Sequence, residues 1–231
     1  MKRNRGINDG FLLIVEIILS GFLFLFIIIT NISSVRFGHE TFSDLDSDVK
    51  LQKINDDPKK FKISIVLILI EHFSIIVLAG MLFIAFSQYN LILAVVWTIF
   101  RVGESFIQIF NKKNYWRLLN IARQYSGTSG AEKNALIDLS RSILKTKNSR
   151  FTIAQVLFSI GTLAYSILFV TYGIVPVIIG WFGIVATIIY GFGNGIILVK
   201  PNFKGLWKFG GLLILLFELV LGGWLLFSSK I

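Results

Sequence analysis

Six long apolar runs alternate with polar stretches along the chain: residues 11–31, 63–86, 91–111, 151–172, 176–198 and 209–228. Each is close to the ~20 residues that cross a hydrocarbon core as a helix. The ~10-residue alternation of a β-barrel strand is absent. A helix satisfies its own backbone hydrogen bonds, which lipid cannot do. The pattern therefore predicts an all-α polytopic transmembrane bundle of six spans, forming one integral membrane domain over residues 1–231.

The connections differ in length. "SQYN" and "YGIVP" are short turns, so spans two and three, and four and five, are expected to be antiparallel neighbours. Pro176 suits the first turn of a helix. Residues 32–62 and 112–150 are long and polar. In the second, Trp116, Leu119 and Ala122 recur at three-residue steps. Ser129 and Glu132 then stand at capping-box spacing, ahead of Leu136, Leu139 and Ile143 on one face. This predicts two short amphipathic helices at the membrane interface between spans three and four; the alternative is that they extend the flanking spans.

Composition supports a membrane protein. Hydrophobic residues make up 55% of the 231 and the mean hydropathy is +0.75, against about 45–50% apolar in soluble domains. The net charge of +10 falls mostly between the spans. Anionic lipid headgroups, above all at residues 112–150, account for it better than nucleic acid. The absence of Cys excludes disulfides, thiolate chemistry and Cys-ligated metals. The basic start "MKRNRG" precedes about 20 apolar residues with no A-x-A site, so this stretch is expected to be a retained span rather than a signal peptide.

Six spans put both termini on one side. Four Lys and Arg lie there (Lys2, Arg3, Arg5 and Lys230), against eighteen in loops 32–62, 112–150 and 199–208. That balance predicts long loops in the cytoplasm of a cell-membrane protein, although the Lys2–Arg5 cluster pulls the other way.

Ionisable residues inside the spans are costly and point inward. They are Glu16, Glu71, His72, Arg101, Glu104 and Glu218. Counting ~1.5 Å per residue from the span ends puts Arg101, Glu71 and Glu218 near one level at the midplane. Glu104 follows Arg101 at helical spacing. Polar or small residues mark one face of each of five spans: Thr98, Ser105 and Gln108; Gln155, Ser159, Thr162 and Ser166; Ser64 and Ser74; Gly211 and Gly222; Gly180, Gly183, Thr187, Gly191 and Asn194. Such faces pack closely and hydrogen-bond across helices. One Arg among three Glu leaves negative charge over, so a proton, a cation or a cationic ligand must share the site. The candidate ligand, ion or proton site is Arg101, Glu104, Glu71 and Glu218, with His72, Glu16 and Asn194 secondary.

Other chemistries fail on spacing. Two His (His39 and His72) make poor haem partners, and no H-E-x-x-H occurs. "DLDSD" at 44–48 has alternating acids, but Val49 and Asn55 stand where an EF-hand needs Gly and Glu. "SGTSG" is not a nucleophile elbow, and "YGFGNG" lies inside a span. Asn31-Ile32-Ser33 is a glycosylation sequon set against the membrane. No metal, cofactor or catalytic residue is expected.

"FRVGE" in span three, "VPVIIGWFGIV" opening span five and "FELVLGGWLL" in span six resemble a large prokaryotic family of six-span membrane proteins catalogued only as a domain of unknown function. The matching residues are Arg101, Glu104, Pro176, Trp181 and Glu218, and the resemblance covers roughly 60–228. It implies no activity. The turns here lack the basic residues that such proteins carry, and the family's orientation would put the termini in the cytoplasm. Three functional readings follow: a transporter-like or ligand-binding protein, a structural or partner-binding subunit, and a lipid-modifying enzyme using Glu71, His72 or Glu218.

Overall fold

In a computed structural model that describes residues 2–42, 47–201 and 203–227, with side chains from Leu13 onward, the chain forms seven helices. They are α1 (Lys2–Arg36), α2 (Ser47–Asp56), α3 (Pro58–Phe86), α4 (Leu91–Tyr125), α5 (Gly130–Tyr172), α6 (Val177–Val199) and α7 (Gly205–Phe227). All but α2 are long and apolar enough to cross a membrane. Asp44, Asp46 and Lys230 lie outside the described residues, as do the side chains of Lys2, Arg3 and Arg5.

The six long helices pack in chain order as a closed ring. α1 lies against α3, α3 against α4, α4 against α5, α5 against α6, α6 against α7, and α7 returns to α1. Short turns enforce most of these neighbours. The α3–α4 turn closes with the Ser87 N–H on the Phe83 carbonyl, and Asn90 caps α4 by accepting from the Leu93 N–H at 3.0 Å. α5 stops at Gly173, whose φ of 62° is a left-handed C-cap that glycine adopts without strain. Asp57 caps α3 by accepting from the Lys60 N–H, with Pro58 in the first turn.

Large apolar side chains outside the ring, such as Ile29, Phe73, Ile92, Phe110, Ile178 and Phe192, are exposed. In a six-span ring this is the lipid-facing surface. Inside, the half near the turns is filled by aromatics: Trp97 meets Tyr165 edge-on at 4.3 Å between centroids, and Tyr165 touches Phe169 and Phe217. Small residues bring the walls together there. A Cβ on Gly21 of α1 would lie 2.5 Å from the Leu226 backbone nitrogen of α7. A Cβ on Gly183 of α6 would strike Ser166 and Phe217. The glycine face expected on span five is thus a packing face.

The expected pair of short interfacial helices between spans three and four does not occur. Both amphipathic segments continue the spans, in α4 of 35 residues and α5 of 43 residues. The two helices leave the membrane together as a hairpin. Their apolar faces meet each other and α2 rather than lipid. Leu119, Ala122 and Ile143 bury in a second core with Leu51, Ile54, Phe61 and Tyr115, and Leu136 packs against it. Trp116 and Leu139, on the same sequence pattern, stay exposed. Periodicity located part of the apolar face, Leu119, Ala122, Leu136 and Ile143, but could not say whether lipid or a neighbouring helix covers it. Ser129 does stand at the N-cap of α5, yet its side chain makes no capping bond.

Candidate functional site

A cavity of about 310 Å³ occupies the loop-side half of the ring. α1, α3, α4, α5, α6 and α7 all contribute to its wall, as does the 37–42 segment. Glu71, His72, Arg101, Glu104 and Glu218 all line it. Glu71 and His72 are sequence neighbours, about 100° apart on the helix, and the cavity is broad enough to take both.

The charged groups are held differently. Arg101 Nη1 donates to Glu104 Oε2 at 2.6 Å, one turn along α4, and both residues are 2% exposed. The guanidinium lies over Phe158 at 4.4 Å and near Trp97 at 5.3 Å, stacked by aromatic faces of α5 and α4. Gly161 of α5 leaves space for its stem, since a Cβ there would come within 3.2 Å of Arg101 Cγ. This pair is neutralised, desolvated and packed.

Glu71 accepts from Asn31 Nδ2 at 3.1 Å through each of its oxygens. Glu218 is half-buried at the cavity wall, and among the described residues its carboxylate makes no hydrogen bond and no ion pair. His72 Nδ1 is buried without a partner. The wall between these groups is apolar, with Ile27, Ile75 and Ile214 prominent.

Two expected residues stand apart. Glu16 is half-buried on α1 and does not line the cavity. Asn194 is fully buried, donates from Nδ2 to the Tyr190 carbonyl at 2.8 Å and does not line the cavity either. Among the described residues no group of three or more His, Asp or Glu could hold a metal.

Several cavity residues escaped the sequence reading. Asn31, noticed only as a sequon, is the partner of Glu71. Gln155, expected on the polar face of its span, does reach the cavity and accepts from the Tyr190 hydroxyl at 2.9 Å, fixing α5 to α6. Lys112 and Tyr115 fall in the basic 112–150 stretch and His39 in the polar 32–62 stretch, yet all three are buried at the loop-side end of the cavity. The missed signal was the continuous α4. Once Leu91–Tyr125 is one helix, Gln108, Lys112 and Tyr115 continue the stripe begun by Arg101 and Glu104.

His39 follows the end of α1 and stacks on Tyr115, with ring centroids 5.3 Å apart. Burial, and then the positive charges of Lys112 and Lys147, push its imidazole well below its ordinary range, so it stands neutral. Lys50 of α2 is also pushed down by burial, opposed by its 2.8 Å ion pair with Glu40.

No curated protein and no solved structure matches the chain. Residues 19–228 match the family described as a domain of unknown function, DUF4386. The match takes in most of α1 and the other five spanning helices, with the Arg101–Glu104 pair and Glu218, so the chain is a multi-pass membrane protein belonging to this uncharacterised family.

Proposed function

We propose that the protein binds a small organic cation in the cavity of the ring, with Glu218 as its counter-charge. The observation that carries this reading is the Glu218 carboxylate, which faces the cavity without a hydrogen-bond or ion-pair partner among the described residues. Glu104 is neutralised by Arg101, and Glu71 is held by Asn31. An acceptor kept unpaired at membrane depth is expensive and is commonly functional. The cavity, at about 310 Å³, is far larger than a bare ion and falls at the small end of ligand sites. Its isoleucine wall suits the alkyl part of an ammonium compound.

The aromatic plug on the turn side supports binding over passage across the membrane. A transporter-like role would need that plug to open. The loop side carries most of the Lys and Arg, which supports a cytoplasmic mouth in a cell membrane, with anionic headgroups around the base of the 112–150 hairpin.

The test uses the purified protein in detergent with choline and its neutral isostere 3,3-dimethylbutanol. Choline should raise the melting temperature and the isostere should not, and Glu218→Gln should remove the choline response. A wild type indifferent to choline, or a Glu218→Gln variant that responds as well as wild type, would overturn the reading.

A second reading holds for Arg101 and Glu104 alone. Sealed at 2.6 Å between aromatic rings, they serve as internal glue that fixes how α4 meets α5, as in a structural subunit.

A further inference from the structure

We infer that the loop-side end of the cavity is a binding site for an anionic group, a phosphate in chemical class, held by Lys112 with His39. The inference rests on the cavity but not on the ligand assigned to Glu218. Lysines from three helices converge there: Lys50 of α2, Lys112 of α4 and Lys147 of α5, all less than 5% exposed. Lys112 Nζ lies 4.8 Å and Lys147 Nζ 5.3 Å from the centroid of Tyr115, the ring on which His39 stacks.

Their protein partners do not balance them. Lys50 pairs with Glu40 at 2.8 Å, and Lys147 donates to the Glu40 carbonyl at 2.8 Å. Lys112 has no hydrogen bond and no ion pair among the described residues, only the π face of Tyr115. Glu71 of α3 acts on it electrostatically from beyond ion-pair reach, with its own oxygens on Asn31. Among the described residues, the other charged or titratable groups that bear on this end are Glu40, Lys50, Lys147, Tyr115, His39 and His72. Among the described residues, three lysines thus face the two carboxylates of Glu40 and Glu71. Burying an ammonium with its donors unused is costly. Lys112 and His39, whose Nδ1 is also buried and unpartnered, both line the cavity.

Depth favours phosphate. Lys112 is twenty-one residues into α4, or ~32 Å from the turn side at the helical rise. That is the edge of a ~30 Å hydrocarbon core, the level of headgroup phosphates. Several phosphate oxygens can accept from one ammonium and one imidazole together, in charge-assisted bonds. A lipid headgroup and a free phosphate present the same chemistry.

The test is thermal unfolding of the delipidated protein in detergent at constant ionic strength. Separate arms add inorganic phosphate against chloride, and short-chain phosphatidic acid against phosphatidylcholine of equal chain length. The wild type should show a saturable rise in melting temperature in at least one phosphate arm. Phosphate alone sufficing identifies a free anion; phosphatidic acid alone sufficing identifies a headgroup. Lys112→Gln should abolish the response, while Lys113→Gln, at an exposed neighbour, should retain it. His39→Gln covers the case in which Lys112→Gln does not fold, and should weaken binding about tenfold. No response in the wild type, or equal responses in wild type and whichever of Lys112→Gln and His39→Gln folds, would overturn the inference. Glu218→Gln should leave the phosphate response intact, so this outcome and that of the choline experiment are read separately.

Discussion

The two halves of the ring use polar residues in opposite ways. On the turn side, Trp97, Tyr165, Phe169 and Phe217 fill the middle, Gly21 and Gly222 let the α1 and α7 backbones touch, and Gly183 makes room for Phe217. The buried charge at its border, Arg101, is spent on Glu104. On the loop side the middle is open, and Glu218, Lys112, His72 and His39 face it with donors or acceptors unused. Among the described residues, polar atoms go unpartnered on the turn side too, at Trp97 Nε1 and the Tyr165 and Ser166 hydroxyls, but these are neutral groups closed in by packed rings, whereas the loop-side ones are titratable and face open space. The surplus on the loop side costs stability without joining helices, and for that reason points to a ligand.

The comparison breaks most severely at Arg101. Arg101→Met removes the partner of a carboxylate that is 2% exposed, and should cost about 3–5 kcal/mol. Adding Glu104→Leu should recover most of that loss, because a packed apolar pair replaces a buried ionic one. Detergent unfolding of the single and double variants checks both. A double variant as unstable as the single would mean that the pair does more than fix packing.

Next in size is the close approach of α1 and α7. Gly21→Val puts a Cβ 2.5 Å from backbone that cannot rotate away, and should cost about 1–3 kcal/mol. Gly195, near the loop-side end of α6, has nothing within 4 Å of the same added atom. Gly195→Ala should be neutral or slightly stabilising. Equal losses at both positions would mean that the close approach at Gly21 is not what sets its cost.

Most of this organisation can be read from residues, and its limits have causes. Span length and inward charge located five of the cavity residues, since each ionisable group in a lipid-length run must face protein. Asn194 and Glu16 lie off the cavity wall. A polar residue on an inward face can turn to its own helix, as Asn194 does when its Nδ2 donates to the carbonyl one turn back while its Oδ1 stays unpartnered among the described residues, or stay peripheral, as Glu16 does. Lys112 and His39 were invisible because they lie past the ends of the apolar runs, where charge reads as solvated loop. Only the second core, closed by Leu51, Ile54 and Ile143, makes that level an interior.

His39 gives the third prediction. It is 5% exposed, and burial with nearby lysines holds its folded-state pKa below that of the unfolded chain. The unfolded chain therefore takes up the proton first as pH falls. Stability should be flat above about pH 6.5 and decline below it, by at most about 1.4 kcal/mol per pH unit. Melting curves from pH 7.5 to 5 should show this slope in wild type and a shallower one in His39→Gln. An unchanged slope would assign the acid sensitivity to other groups.

The smallest effect sharpens the comparison most. Glu104→Gln breaks a charge-assisted bond inside a packed pair and leaves Arg101 uncompensated, so it should be clearly destabilising. Glu218→Gln removes a carboxylate that has no hydrogen-bond or ion-pair partner among the described residues, keeps its shape and leaves the helix contacts alone. Without ligand, its stability should match wild type or exceed it by up to about 1 kcal/mol. The two residues are both glutamates that line one cavity, so composition and depth cannot separate them. Only their partners can: a large loss at Glu218 would place it with the glue, whereas a neutral Glu218→Gln beside a costly Glu104→Gln would divide the buried charges into those that hold the ring and those that wait for a ligand.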